Sequence, residues 1–253
     1  MNFYFVFEGK TEAIVYKKWL SVLLPQLTEV NSFDEVDTNN YYYESNMGYP
    51  DCYNVVANAI QDINEVPKYN YLVLCIDADR LEVEEKRQEA FKQIEKRLHN
   101  PEKSYSHLPE NCQLKVIVQK VCIETWFLGN RRFFVRNPQS ERLKKYIQYF
   151  DVSKDDPEAL AQEFKQNEDG TAQIFGYSTK ALFHESYLRE IFKERMKGKA
   201  YHKNRPKQVQ EKVFLDQLLA RIKDAPNHLN SFKELIDFCD EIKKYEDTKN
   251  TQF

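Results

Sequence analysis

Three acidic residues stand directly after two of the most apolar runs in the chain. Glu8 follows FYFVF (3–7), and Asp77 and Asp79 follow YLVLCI (71–76) in the stretch CIDADR. Carboxylates gathered at one rim of a fold repel one another, and a hard divalent cation with oxygen ligands removes that repulsion. An Asp-x-Asp pair in extended backbone points both side chains to one side. Gly9 permits close backbone approach, and the helix expected to open at Lys10, Thr11 and Glu12 offers an N-terminus that favours anions such as phosphate. Glu8, Asp77 and Asp79 are therefore read as ligands of one Mg²⁺ or Mn²⁺ site used for phosphodiester chemistry. Helix capping is the competing reading, because Asp is common where a strand meets a helix. The coincidence of acids after two separate buried runs favours the metal. Lys10 is a candidate to offset phosphate charge, against the commoner case of a solvated helix lysine.

These residues need elements to position them. The runs at 3–7 and 71–76 read as buried strands, as does LKVIV (114–118), and residues 40–44 read as a further strand. Between them lie helical patterns: 11–24 with Ile14, Tyr16, Trp19, Leu20 and Leu23; a second that Asp51 caps, with Val55, Val56, Ala59 and Ile60 inward; a charged one over 82–98; and one starting near Glu124. The alternation β-α-β-α-β-α-β-α predicts an α/β fold with a parallel four-stranded sheet flanked by helices. Functional residues in such sheets gather beyond the carboxyl ends of the strands. After about residue 120 no strand is expected. Helices are expected at 140–150, 157–166, 180–197, 208–223 and 231–244, with Asp156 before Pro157 as a cap and Ser231 with Glu234 as a capping box. The polar stretch NEDGT (167–171) is the softest boundary. The expected division is a catalytic domain over 1–135 and a helical C-terminal region over 136–253.

The 253 residues carry a formal charge of −3, but the average hides an asymmetry. Residues 180–212 hold ten Lys or Arg against four Glu, a local +6 on a body that then carries −9. A basic segment on an acidic body suggests an anionic partner. Arg189, Lys193 and Lys197 are spaced to share one helix face, and Lys199, Lys203, Arg205 and Lys207 come after them with Tyr201 and His202 in between. Basic residues interleaved with an aromatic suit a phosphate backbone. Pairing of Arg189 and Lys193 with Glu185 and Glu190 on a solvated helix is the alternative. Five cysteines without CxxC spacing fit a reducing, cytoplasmic setting, Cys75 and Cys122 sitting in apolar runs as small hydrophobes. The apolar N-terminal run is too short for a signal peptide or membrane span. The five histidines form no zinc-like cluster, and no P-loop is present.

The segment FVFEGKTE resembles the first motif of Toprim domains, and YLVLCIDADR resembles their D-x-D motif, in matching order and spacing. VCIETWFLGN resembles a third signature of small bacterial Toprim proteins related to the OLD (overcoming lysogenization defect) nucleases. The resemblance covers residues 1–135. It implies that Glu8 acts as a metal ligand or general acid/base, that Asp77 and Asp79 bind metal, and that Glu124 supports a second metal, with Glu12 and Glu82 close by. Nothing resembles the nucleophilic tyrosine domain of topoisomerases or the zinc ribbon of primases, so hydrolysis by a metal-bound water is implied. The same resemblance implies a role in anti-phage defence beside an ATPase, expected to be a separate protein because this chain carries no P-loop. The competing expectation is a non-catalytic Toprim-fold module that binds nucleic acid or protein.

Overall fold

A computed structural model describes residues 1–45, 48–99, 107–160 and 176–250. Its centre is a parallel sheet of β1 (Phe3–Phe7), β2 (Thr28–Glu29), β3 (Asn40–Ser45), β4 (Tyr71–Asp77) and β5 (Gln113–Gln119), in the order β2-β3-β1-β4-β5. All five residues of β1 are buried, as are Leu72–Ile76 of β4. Strands covered on both faces need continuous apolar runs, and both strands have them. The register sets Phe3 beside both Tyr41 and Tyr71, and Phe7 beside both Ser45 and Cys75.

The sheet has five strands where four were expected. The added strand, β2, is two exposed residues at the edge, paired as Thr28 with Asn40 and Glu29 with Tyr41. Backbone bonds hold it and no side chain is buried, so it leaves no apolar pattern to read. From β1 the chain passes outward to β2 and β3, then returns across β1 to β4 and on to β5. The order thus reverses between β1 and β4, and in open α/β sheets ligands sit beyond the carboxyl ends of strands at such a reversal.

The helices are α1 (Lys10–Leu23), α2 (Cys52–Glu65), α3 (Val83–Leu98), α4 (Ile123–Leu128), α5 (Glu141–Tyr149), α6 (Lys180–Arg195), α7 (Lys212–Asp224) and α8 (Asn230–Asn250). Val56, Ala59 and Ile60 of α2 are buried together with Ile63, but Asp51 makes no side-chain cap bond. α6 stops at Arg195, short of the expected 197, because Lys197 (φ 50°) and Gly198 (φ 91°) turn left-handed and the Gly198 N–H bonds the Lys193 carbonyl at 2.7 Å. α7 starts at Lys212 and not at 208, after an extended Glu211. α8 begins one residue before Ser231, whose hydroxyl is committed elsewhere, so the expected capping box is absent. Most of the expected 157–166 helix and the NEDGT boundary lie outside the described residues. Among those residues no strand occurs after Gln119, and no helix is long and apolar enough to cross a membrane.

The chain forms two compact units that interleave in sequence. One contains residues 1–76, 83–118 and 235–253; the other contains 77–82 and 119–234. In the sheet unit, Phe3, Phe5 and Phe7 stack along β1 with ring centroids 5.8 and 5.7 Å apart, and Phe238 of α8 meets Phe3 and Tyr71 edge-on. In the helical unit, Ser231 is a polar hub inside the core. Its hydroxyl accepts from the Trp126 indole N–H at 2.7 Å and the Lys120 backbone N–H at 3.1 Å, and donates to Glu158 at 2.6 Å. Trp126 itself is fully buried, as expected for a core residue.

Gly129, just past α4, is closely packed. A Cβ there would stand 2.4 Å from Leu229 Cδ1 and 2.9 Å from the Trp126 carbonyl oxygen. Gly129→Ala is expected to lower the unfolding free energy by about 1–3 kcal/mol, the usual cost of overpacking. Urea unfolding checks this, and trimming Leu229 to Ala in the same chain should make the added methyl less costly than it is alone.

Candidate functional site

The sheet unit places Glu8 immediately after β1, half-buried. Its N–H donates to the Cys75 carbonyl at 3.0 Å, and its carbonyl accepts from the Gly48 N–H at 3.1 Å. The Cys52 thiol lies close by and is pushed up to about 12, first by burial and then by the Glu8 charge. Lys10 is exposed at the first position of α1. Glu12 is buried in the first turn, where the helix dipole favours a carboxylate. A Cβ on Gly9 would come within 2.6 Å of the Glu12 carboxylate, so the glycine makes room for that side chain.

In the helical unit, Asp77 is the last residue of β4 and is half-buried, whereas Asp79 is exposed with φ 54°. The extended geometry that would aim both aspartates to one side stops at Asp77. The physical reason lies in the backbone beyond it. The Ala78 N–H bonds Gln119 O at 2.8 Å, and the Asp79 N–H bonds Val121 O at 2.9 Å. Val121 is itself left-handed (φ 63°), and the Cys122 N–H closes a three-residue turn onto Lys120 O at 2.9 Å. A buried β-branched residue in this conformation costs of order 1–3 kcal/mol. The turn leads into Cys122 and Glu124 at the start of α4, and Lys120 is ion-paired to Glu82.

Glu124, in the first turn of α4, is 0% exposed. Its Oε1 accepts from the Tyr201 hydroxyl at 2.9 Å, and Lys203 Nζ stands 3.4 Å from its Oε2. Lys203 also reaches Glu185 at 3.9 Å. Burial pulls the Lys203 pKa down, but Glu124, Cys122, Asp77 and Glu185 together raise it above the usual lysine value. The Cys122 thiol is driven well above its usual range by burial, then by the charges of Glu124 and Asp77. Two of the expected metal ligands, Asp77 and Glu124, thus act on the same two side chains. Such a thiol stays protonated and is no nucleophile. Burial and Lys180 lower His184 to about 3, so it is neutral, with Nδ1 2.6 Å from the Thr125 hydroxyl.

Tyr201 and Lys203 as partners of Glu124 were not anticipated. Tyr201 lies 77 residues away in the chain, and no local spacing signals such a bond. Elsewhere in the basic segment, Arg189 is 3.8 Å from Glu185 and Lys193 is 2.6 Å from Glu190. Lys197 falls beyond the end of α6, so it does not continue the helical face of Arg189 and Lys193. Lys197, Lys199, Arg205 and Lys207 are exposed.

Among the described residues no group of three or more His, Cys, Asp or Glu side chains is placed to hold a metal ion. Mg²⁺ does not require such a group, being commonly held by one or two carboxylates with waters and substrate phosphates. Asp77 and Glu124 are oxygen donors of that kind. No family model matches the chain, nor does any curated protein or solved structure.

Proposed function

We propose that the protein is a Mg²⁺- or Mn²⁺-dependent phosphodiesterase that hydrolyses DNA or RNA. The observation that carries this reading is the pair Asp77 and Glu124, at the end of β4 and the start of α4, both acting on Cys122 and Lys203. Asp77 and Glu124 would hold the cation, and the resemblance to Toprim domains implies Glu8, Asp79 and Glu12 as further acidic residues of the site. Bound metal supplies an acidified water and offsets charge on the phosphate. The chain's own part is to fix the carboxylates, through the Val121 turn and the Tyr201 bond, and to offer Lys10 and the basic segment to phosphate. By the same resemblance, the protein acts in anti-phage defence beside a separate ATPase.

A second reading is a binding module without catalysis. The ion pair from Lys203 to the buried Glu124 favours it, because that carboxylate is already neutralised inside the protein. Incubating single- and double-stranded DNA and RNA with Mg²⁺ or Mn²⁺ separates the two. Cleavage that disappears on chelation supports the enzyme. Tight binding with no cleavage, with and without an ATPase partner, supports the module.

Nucleic-acid binding through the basic segment has its own test. Reversing Lys197, Lys199 and Lys207 to Glu is expected to weaken affinity for duplex DNA at least about tenfold. The logarithmic salt dependence should flatten by about 2–3, near 0.9 for each phosphate that is no longer neutralised. Fluorescence anisotropy across a salt series measures both. An unchanged slope assigns these lysines to solvent.

A further inference from the structure

The position of Lys203 goes beyond a surface contact with phosphate. Its ammonium is 3.4 Å from Glu124 and 3.9 Å from Glu185, and Asp77 also acts on it. Two carboxylates therefore stand within ion-pair distance of one cation in the helical unit, and the charge of Asp77 acts on it as well. Glu124 is 0% exposed, while the Lys203 side chain keeps 40% of its surface in solvent. One partner is fixed by burial and by its bond from Tyr201. The other is a long side chain that lies partly in solvent. The contact of Lys203 with Oε2, at 3.4 Å, is an ion pair.

A buried carboxylate is costly unless its charge is answered. A divalent cation answers it more strongly than an ammonium, but the two cannot occupy the same space beside Glu124 without strong mutual repulsion. We propose that Lys203 is a built-in counter-ion that competes with the divalent metal for Glu124 and Asp77, so that metal loads only as the lysine side chain withdraws. This rests on the metal-dependent reading above. Lys199, Arg205 and Lys207, close to Lys203 in the chain, are exposed and could take a phosphate. A phosphate held there would draw Lys203 outward, so nucleic acid and metal should each tighten binding of the other.

Calorimetric titration with MnCl₂ tests this without any activity measurement. Lys203→Gln keeps a polar side chain of similar reach and removes the charge. It is expected to bind Mn²⁺ at least about tenfold more tightly than the natural protein, and Asp77→Asn in the same chain should cancel the gain. Equal or weaker binding by Lys203→Gln, with measurable binding by the natural protein, overturns the competition and leaves the metal reading standing. Absence of Mn²⁺ binding in both folded proteins overturns both. Should Lys203→Gln fail to fold, reductive methylation of the natural protein decides. Mass spectrometry should find Lys203 labelled several-fold faster with Mn²⁺ than without, relative to the exposed Lys207. Labelling that Mn²⁺ leaves unchanged rejects the proposal.

Discussion

Asp77→Ala is expected to reduce metal-dependent phosphodiester cleavage by about 10³-fold or more. A metal acting as Lewis acid supplies several kcal/mol of transition-state stabilisation, and about 4 kcal/mol corresponds to that factor. Asp77 is half-buried at a strand end, so its truncation removes the proposed ligand and little core packing. The melting temperature should therefore move by only a few degrees while activity collapses. Glu8→Ala should behave alike, as the Toprim resemblance implies. Asp79→Ala should cost less, about tenfold, because Asp79 is exposed and its left-handed backbone releases it from the direction of the strand. A cleavage rate untouched by Asp77→Ala and Glu8→Ala would end the enzyme reading.

The second large effect concerns stability. The carboxyl of Glu158 is pushed up to about 7 by burial, although Ser231 donates to it from its hydroxyl and its backbone N–H, at 2.6 and 3.0 Å, and pulls it back. Asp156 adds to the rise and Lys120 opposes it. The unfolded chain binds this proton with an ordinary value of 4.5. The folded state therefore holds the proton more tightly. That stabilisation is complete below about pH 4.5 and is lost as pH rises toward 7, where ionisation of the buried group costs roughly 3 kcal/mol. Glu158→Gln removes the titration and keeps a polar group beside Ser231. Relative to the natural protein, the variant should gain about 2–3 kcal/mol between pH 5 and pH 8 in urea unfolding. A stability difference that stays flat over this range would mean that Glu158 titrates like an exposed acid.

Both predictions start from residues whose roles were unequally visible. Asp77 stands out because it closes an apolar run. Glu158 gives no such sign: it lies in an ordinary polar stretch, and only the approach of Ser231 makes it a buried acid. Glu124 falls between them. Its place in the first turn of a helix could be read from VCIETWFLGN, but its burial and its cation could not.

Residue pattern was enough for the parallel sheet, its three apolar strands and the helices between them, because a strand buried on both faces needs an unbroken apolar run. It was enough, too, for the helical character of the described chain beyond residue 120, through apolar spacing. The remaining features arise from packing in three dimensions. The edge strand β2 exists through backbone pairing with β3, which leaves no trace in side-chain pattern. The left-handed Asp79 and Val121 result from bonds between the ends of β4 and β5, so the two aspartates that look equivalent in CIDADR are placed differently. The inward turn of Lys203, which reads as one of many basic residues, results from a buried carboxylate far away in the chain. Electrostatic partnership depends on distance in space, and no local spacing encodes it.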